Sequence, residues 1–215
     1  MKYISPSILA ADFGNLQSEC EMINQSSAEW LHVDVMDGVF VPNISFGFPI
    51  FEALLKHCKK PLDVHLMIVH PEKYVERFAQ AGAYSVGFHL EAVNDPLPIL
   101  EQIKKYGTKT CLTINPDIAV ERLEPYIDKV DMILLMGVYA GYGGQLFIEE
   151  TYERVKKLKQ MIRDKNAHTL IEIDGGVCTK NAAKLFEIGA DVLVSGSVIF
   201  GADDPVKMIA TLKGE

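Results

Sequence analysis

Eight short runs rich in valine, isoleucine and leucine recur along the chain, each followed by a longer amphipathic stretch, and this repeat restricts the fold more than any other feature. The runs are Tyr3 to Leu9, Trp30 to Met36, Leu62 to Met67, Ser85 to Leu90, Lys109 to Ile114, Met132 to Val138, Thr169 to Asp174 and Val192 to Ser197. Strand-length apolar runs alternating with helical patterns predict parallel strands joined by right-handed crossovers. Eight such units in 215 residues suit a closed (β/α)8 TIM barrel of the α/β class. A doubly wound open sheet is the alternative, but the first run lacks a GxGxxG turn. No Pro/Gly/Ser-rich linker interrupts the repeat, so residues 1–215 are expected to form a single barrel domain.

Local punctuation agrees with that frame. Pro71 is predicted to open a helix that Gly82 closes, Gly107 to close ILEQIKKYG, and Asp204 with Pro205 to start the last helix. TYERVKKLKQMI, from Thr151, spaces Val155, Leu158 and Ile162 along one side of an outer helix.

Composition narrows the partners. Lys plus Arg total 21 against 29 Asp plus Glu, a net charge of −8, which disfavours a broad basic surface for nucleic acid or an anionic membrane. No apolar run approaches the roughly 18 to 20 residues that cross a bilayer. Cys20, Cys58, Cys111 and Cys178 are scattered without metal or redox spacing, as in a reducing compartment, so a cytoplasmic protein with buried free thiols is expected.

The second and third runs carry the chemistry. In LHVDVMDG, His32, Asp34 and Met36 share one face of a strand; in LDVHLMIV, Asp63, His65 and Met67 do the same. In a closed barrel that face points at a common axis, where residues from different strands converge near the C-terminal ends. Ser7 from the first run, His89 and Glu91 from the fourth and Asp174 from the seventh join the set. Two imidazoles and two carboxylates can hold one divalent ion, zinc, iron(II), manganese or cobalt, with His32, Asp34, His65 and Asp174 the candidate ligands. Asp63 lies one layer nearer the start of its strand and is expected to hold a structural hydrogen bond; His89 and Glu91 fit either the inner site or its supporting packing. His57, His70 and His168 fall in helical or connecting segments and are expected to face solvent.

A second constellation suits phosphate. Gly141-Tyr142-Gly143-Gly144 follows the sixth run, Asp174-Gly175-Gly176 ends the seventh and Ser195-Gly196-Ser197 ends the eighth. Glycines admit close backbone approach, and N–H groups at a helix start stabilise phosphate oxygens without a lysine.

The phrases SPSILAADF, HVDVMDGVFVPN, DVHLM, GYGGQLFI, IEIDGGV and VLVSGSVIF, spread from Ser5 to Phe200, resemble the ribulose-phosphate 3-epimerase family. The resemblance implies an eightfold barrel, a divalent metal and a sugar phosphate substrate, with inversion at C3 of D-ribulose 5-phosphate to D-xylulose 5-phosphate through an enediolate. It implies His32, Asp34, His65 and Asp174 as metal ligands, Asp34 and Asp174 also as the proton-transfer pair, and substrate contacts at Ser7 and His65. By the same resemblance Met36, Met67 and Met136 line the reaction centre, and Gly143, Gly144, Gly176, Gly196 and Ser197 grip phosphate. A homo-oligomer is expected.

One segment departs from the pattern. Family members commonly carry MSVNPGFGGQ after strand six, whereas this chain has MGVYAGYGGQ, with Gly137, Tyr139, Ala140 and Tyr142 at the altered positions. Lid closure and sugar preference are therefore the properties expected to differ, and a 3-epimerase of a hexulose 6-phosphate such as D-allulose 6-phosphate is the nearest rival. A lyase using a D-x-K-x-x-D series is disfavoured, because Met36 occupies the lysine position. A non-catalytic phosphate-binding barrel would not require the four ligand candidates together.

Overall fold

A computed structural model of the protein describes residues 1–215. Its strands are β1 (Tyr3–Pro6), β2 (Leu31–Met36), β3 (Leu62–Met67), β4 (Ser85–His89), β5 (Lys109–Ile114), β6 (Met132–Met136), β7 (Leu170–Asp174) and β8 (Val192–Ser195). All are parallel neighbours in one eight-stranded sheet ordered β1-β8-β7-β6-β5-β4-β3-β2, and a parallel bridge from Ser7 to His32 joins its two ends. The helices are α1 (Leu16–Gln25), α2 (Phe48–His57), α3 (Val75–Ala81), α4 (Leu97–Lys104), α5 (Thr151–Asp164), α6 (Ala182–Ile188), α7 (Ser197–Phe200) and α8 (Pro205–Lys213). The architecture is the (β/α)8 barrel that the eightfold alternation predicts.

Several boundaries differ from the sequence expectation. The first, fourth, sixth and eighth strands stop at Pro6, His89, Met136 and Ser195 rather than at Leu9, Leu90, Val138 and Ser197. At the rim the chain bends away from its ladder partners, into 3-10 turns at Ile8–Ala10 and Leu90–Ala92, so Glu91 sits in a turn rather than on β4. After β5 the expected helix is a 3-10 run, Val120–Lys129, in which Pro125 lacks the N–H a regular helix requires. Pro71, preceded by left-handed His70 (φ 54°), opens only a 3-10 turn, and α3 begins at Val75. The last helix begins as predicted: Pro205 is its first residue, and the Asp204 side chain accepts the Lys207 N–H.

The strands read as continuous apolar runs because both faces are covered. Leu31, Val33, Val35 and Val64 face outward into the core under the helices, with Phe51, Leu54 and Phe78. Each such side chain stabilises the fold by about 1.5–3 kcal/mol relative to exposure. A second cluster, Trp30, Cys111, Met132, Leu134, Met136 and Val192, fills the barrel interior. The four cysteines are free, with Cys20 and Cys111 fully packed. No helix is long and apolar enough to cross a membrane.

Candidate active site and metal centre

Alternation along the strands carries the inward-facing polar residues to the C-terminal end of the barrel. His32 and Asp34 on β2 pair in register with Asp63 and His65 on β3, so the four side chains form one patch on the inner face. Asp174, the last residue of β7, reaches the same patch. His32 Nε2 lies 3.3 Å from Asp34 Oδ1 and 3.9 Å from Asp174 Oδ2; His65 Nδ1 lies 3.2 Å and 3.7 Å from the same two oxygens. One ligand atom from each of His32, Asp34, His65 and Asp174 falls within 4.8 Å of all the others. Atoms bound to a single ion at about 2.0–2.2 Å stand roughly 3–4 Å apart, which these distances match. His32 Nε2 is fully buried and aligned for a hydrogen bond with no neighbour, as a nitrogen intended for a cation would be.

Each donor is held from behind. Ser7 Oγ donates to Asp34 Oδ2 at 2.5 Å across the β1–β2 seam, and Ser45 Oγ donates to the Asp34 carbonyl at 2.7 Å. His32 Nδ1 lies 2.7 Å from Asp63 Oδ2, and Ser85 Oγ donates to the other Asp63 oxygen. The sequence expectation for Asp63, a structural hydrogen bond, is met: it fixes which His32 nitrogen faces the centre. His89 belongs with the inner site, its Nε2 3.0 Å from His65 Nε2.

The charges are tightly interlocked. Burial opposes charge on His32, but the Asp34 and Asp63 carboxylates outweigh it and hold the imidazole well above its ordinary value. His65 moves the same way; burial works against it, and Asp174 and Asp34 prevail. Burial would raise Asp34, yet the two imidazoles bring it far below the usual carboxylate range. His89, walled off from water, is pushed down to about 4.

Beneath His32 lies a residue that the sequence reading missed. Glu172 on β7 is completely buried, and neither of its oxygens finds a donor. Burial first, then the adjacent Asp63 charge, raises its pKa well above normal while Asp63 stays depressed. Two neighbouring carboxyls in a dry site cannot both ionise freely, and of the pair Glu172 is the one driven toward the neutral acid. The signal was available: in LIEID, Glu172 precedes Asp174 by two and so shares its face.

The methionines lie where the face predicts. Met36 and Met67 pack with Val41, Met136 packs with Leu134 and Val138, and Ala140 touches both groups, so a thioether wall runs around the mouth. The glycines divide into two kinds. A side chain at Gly143 or Gly144 would meet nothing within 4 Å, leaving that backbone open to a ligand. Gly176, at φ 69°, is instead pressed against Phe147, whose backbone a Cβ would meet at 2.6 Å, and Gly175 is pressed against Val138. Their missing side chains let the loops after β6 and β7 interlock. Gly196 caps the short α7, and Ser197, its first residue, is exposed.

The altered loop after β6 is anchored through the altered residues. The Ala140 N–H donates to Asn115 Oδ1 at 3.1 Å, a bond proline could not make. Tyr142 OH donates to the Pro42 carbonyl at 2.7 Å, and Asn43 Nδ2 donates to the Gly141 carbonyl at 2.8 Å. A Cβ at Gly137 would stand 2.5 Å from the Gly175 carbonyl. Asn115 and Tyr142 thus tie this loop to the β5 and β2 loops. His70 and His168 are exposed as expected, whereas His57 is half-buried.

Comparison with known proteins accords with this geometry. Residues 3–200 match the family described as the ribulose-phosphate 3 epimerase family. A ribulose-phosphate 3-epimerase of Mycobacterium tuberculosis is 42% identical over 213 residues, covering 98% of this chain and 91% of its own. The enzyme of the same name from Bacillus subtilis is 41% identical over 212 residues, covering 98% of each chain. Among solved structures, a tryptophan synthase complex from Pyrococcus furiosus superposes with a TM-score of 0.72 at 15% identity, covering 100% of this chain and 98% of that one, a likeness of fold alone.

Proposed function

The chain belongs to the ribulose-phosphate 3 epimerase family, an isomerase family, and on that premise we propose that it inverts C3 of D-ribulose 5-phosphate to give D-xylulose 5-phosphate. The observation that carries the proposal is the meeting of His32, Asp34, His65 and Asp174, from three strands, within 4.8 Å at one end of the barrel. In this reading those four residues hold one divalent ion. Bound there, the ion supplies Lewis-acid stabilisation of the negative charge that develops on the sugar oxygens as C3 loses its proton.

The chain's own residues do the rest. Asp34 and Asp174 reach the centre from β2 and β7, strands three steps apart around the ring, so one carboxylate takes the C3 proton from one side and the other returns a proton to the opposite side. Ser7, hydrogen-bonded to Asp34 Oδ2, keeps that carboxylate turned toward the centre. Met36, Met67 and Met136 exclude water without offering a competing acid. Gly143 and Gly144, with backbone open to solvent, and the N–H groups at Gly196 and Ser197 take the phosphate. Gly141 and Tyr142 carry the lid, while Gly175 and Gly176 seat it.

The loop anchored by Ala140 and Tyr142 keeps a second reading in play, epimerisation of a hexulose 6-phosphate by the same acid pair. Solvent deuterium entry at C3 of ribulose 5-phosphate and of allulose 6-phosphate, each with and without chelator, separates them. Chelator-sensitive exchange dominated by the five-carbon sugar is expected. Exchange with neither sugar would reject the epimerase reading, and preference for the six-carbon sugar would install its rival.

A further inference from the structure

His65 turns Nδ1 toward Asp34 at 3.2 Å and leaves Nε2 3.0 Å from His89 Nε2. A hydrogen bond between two imidazole nitrogens needs one proton between them, and each neutral ring has a single N–H. Two assignments satisfy that rule. In one, His89 donates and the His65 proton on Nδ1 faces the centre; in the other, His65 donates from Nε2 and its Nδ1 lone pair faces the centre. Only the second leaves His65 able to ligate an ion.

The surroundings of His89 select the second. Two groups face its other nitrogen, Nδ1, at 3.5 Å: Glu91 Oε1, which needs a proton there, and the Asn115 side-chain amide, which would supply one; the carboxylate makes the stronger, charge-assisted bond and sets the proton on Nδ1. With its proton on Nδ1, His89 has only a lone pair on Nε2 and must accept from His65. Glu91 Oε1 is itself held by the Asn115 backbone N–H at 2.9 Å. Both rings are fixed in place: His89 lies edge to edge with His65 at 22° between planes, and Phe40 lies 4.8 Å from His89 by ring centroid. Neither imidazole reaches water.

We propose that His89 and Glu91 are positioning residues that set the proton of His65 on Nε2 and so present its Nδ1 to a divalent ion. This deepens the metal-site reading above and rests on it. The relay has the form of a metal-bound histidine backed by a carboxylate, with one extra imidazole between them.

The test measures cobalt(II) binding by chelator competition and the visible spectrum of the bound cobalt. His89→Phe keeps an aromatic ring beside Phe40 but removes the acceptor. It is expected to weaken cobalt binding about 10- to 100-fold and to shift the spectrum. Glu91→Ala should weaken binding by about tenfold, and Glu91→Gln, whose amide oxygen can replace Oε1, should recover most of the loss. Folded His89→Phe or Glu91→Ala protein that binds cobalt within about twofold of the parent, with an unchanged spectrum, would overturn the proposal; if His89→Phe does not fold, the Glu91 pair decides alone. Failure of the metal reading looks different: the parent protein would bind no cobalt, or His32→Ala would bind it as well as the parent, and the proposal would fall with it.

Discussion

The side chain that the proposed reaction uses least directly, Glu172, shows how far the interior departs from an ordinary hydrocarbon core. Full enclosure next to Asp63 drives this carboxyl toward the neutral acid. Glu172→Gln supplies an amide N–H in place of that O–H and should change stability by less than about 1 kcal/mol. Glu172→Ala opens a cavity beside Asp63 and should cost about 2–4 kcal/mol. Urea unfolding of both variants checks the pair; equal losses would mean that Glu172 is ionised. Sequence alternation predicted the inward set His32, Asp34, His65 and Asp174, which the structure brings together. It could not rank His89 and Glu91, because their roles depend on which nitrogen or oxygen meets which neighbour, and that is decided across strands.

Among the elements, the loop between β6 and α5 is held from several sides. It is tied inward by Ala140 to Asn115, sideways by Tyr142 to Pro42, and across to the β7 loop by the close approach of Gly137 to Gly175. Replacing Tyr139→Asn together with Ala140→Pro deletes the N–H that reaches Asn115 and stiffens the entry to the phosphate loop. Turnover should change several-fold while bound metal per chain stays constant; steady-state kinetics alongside metal analysis reads both. Parallel loss of metal and turnover would show that the loop supports the donors rather than the substrate. The strand and helix pattern was legible because it rests on residue periodicity. The 3-10 run at Val120–Lys129 and the interlock of Gly176 with Phe147 were not, because the first depends on one internal proline and the second on a contact between distant loops.

For the molecule as a whole, the proposed metal site sets cation and proton in competition for the same two imidazoles. His32 and His65 are both raised by the surrounding carboxylates. A raised histidine adds stability that is complete below the unfolded value, about 6.5, and is lost as pH rises through the folded value. Chelated protein should therefore lose stability as pH climbs above about 6.5. Metal-loaded protein should gain over the same range, because the ion displaces those protons and binds more tightly as they leave. Thermal unfolding with and without cobalt from about pH 6 to 9 should give diverging curves, and parallel curves would exclude His32 and His65 as ligands. The same web of contacts has a further effect. Because Asp34, His65 and His89 engage one another and Asp63 holds His32, the barrel has no need to collapse or open when the proposed cation departs. Under the metal reading proposed above, the site would refill on an intact scaffold, and which divalent ion fills it would follow supply.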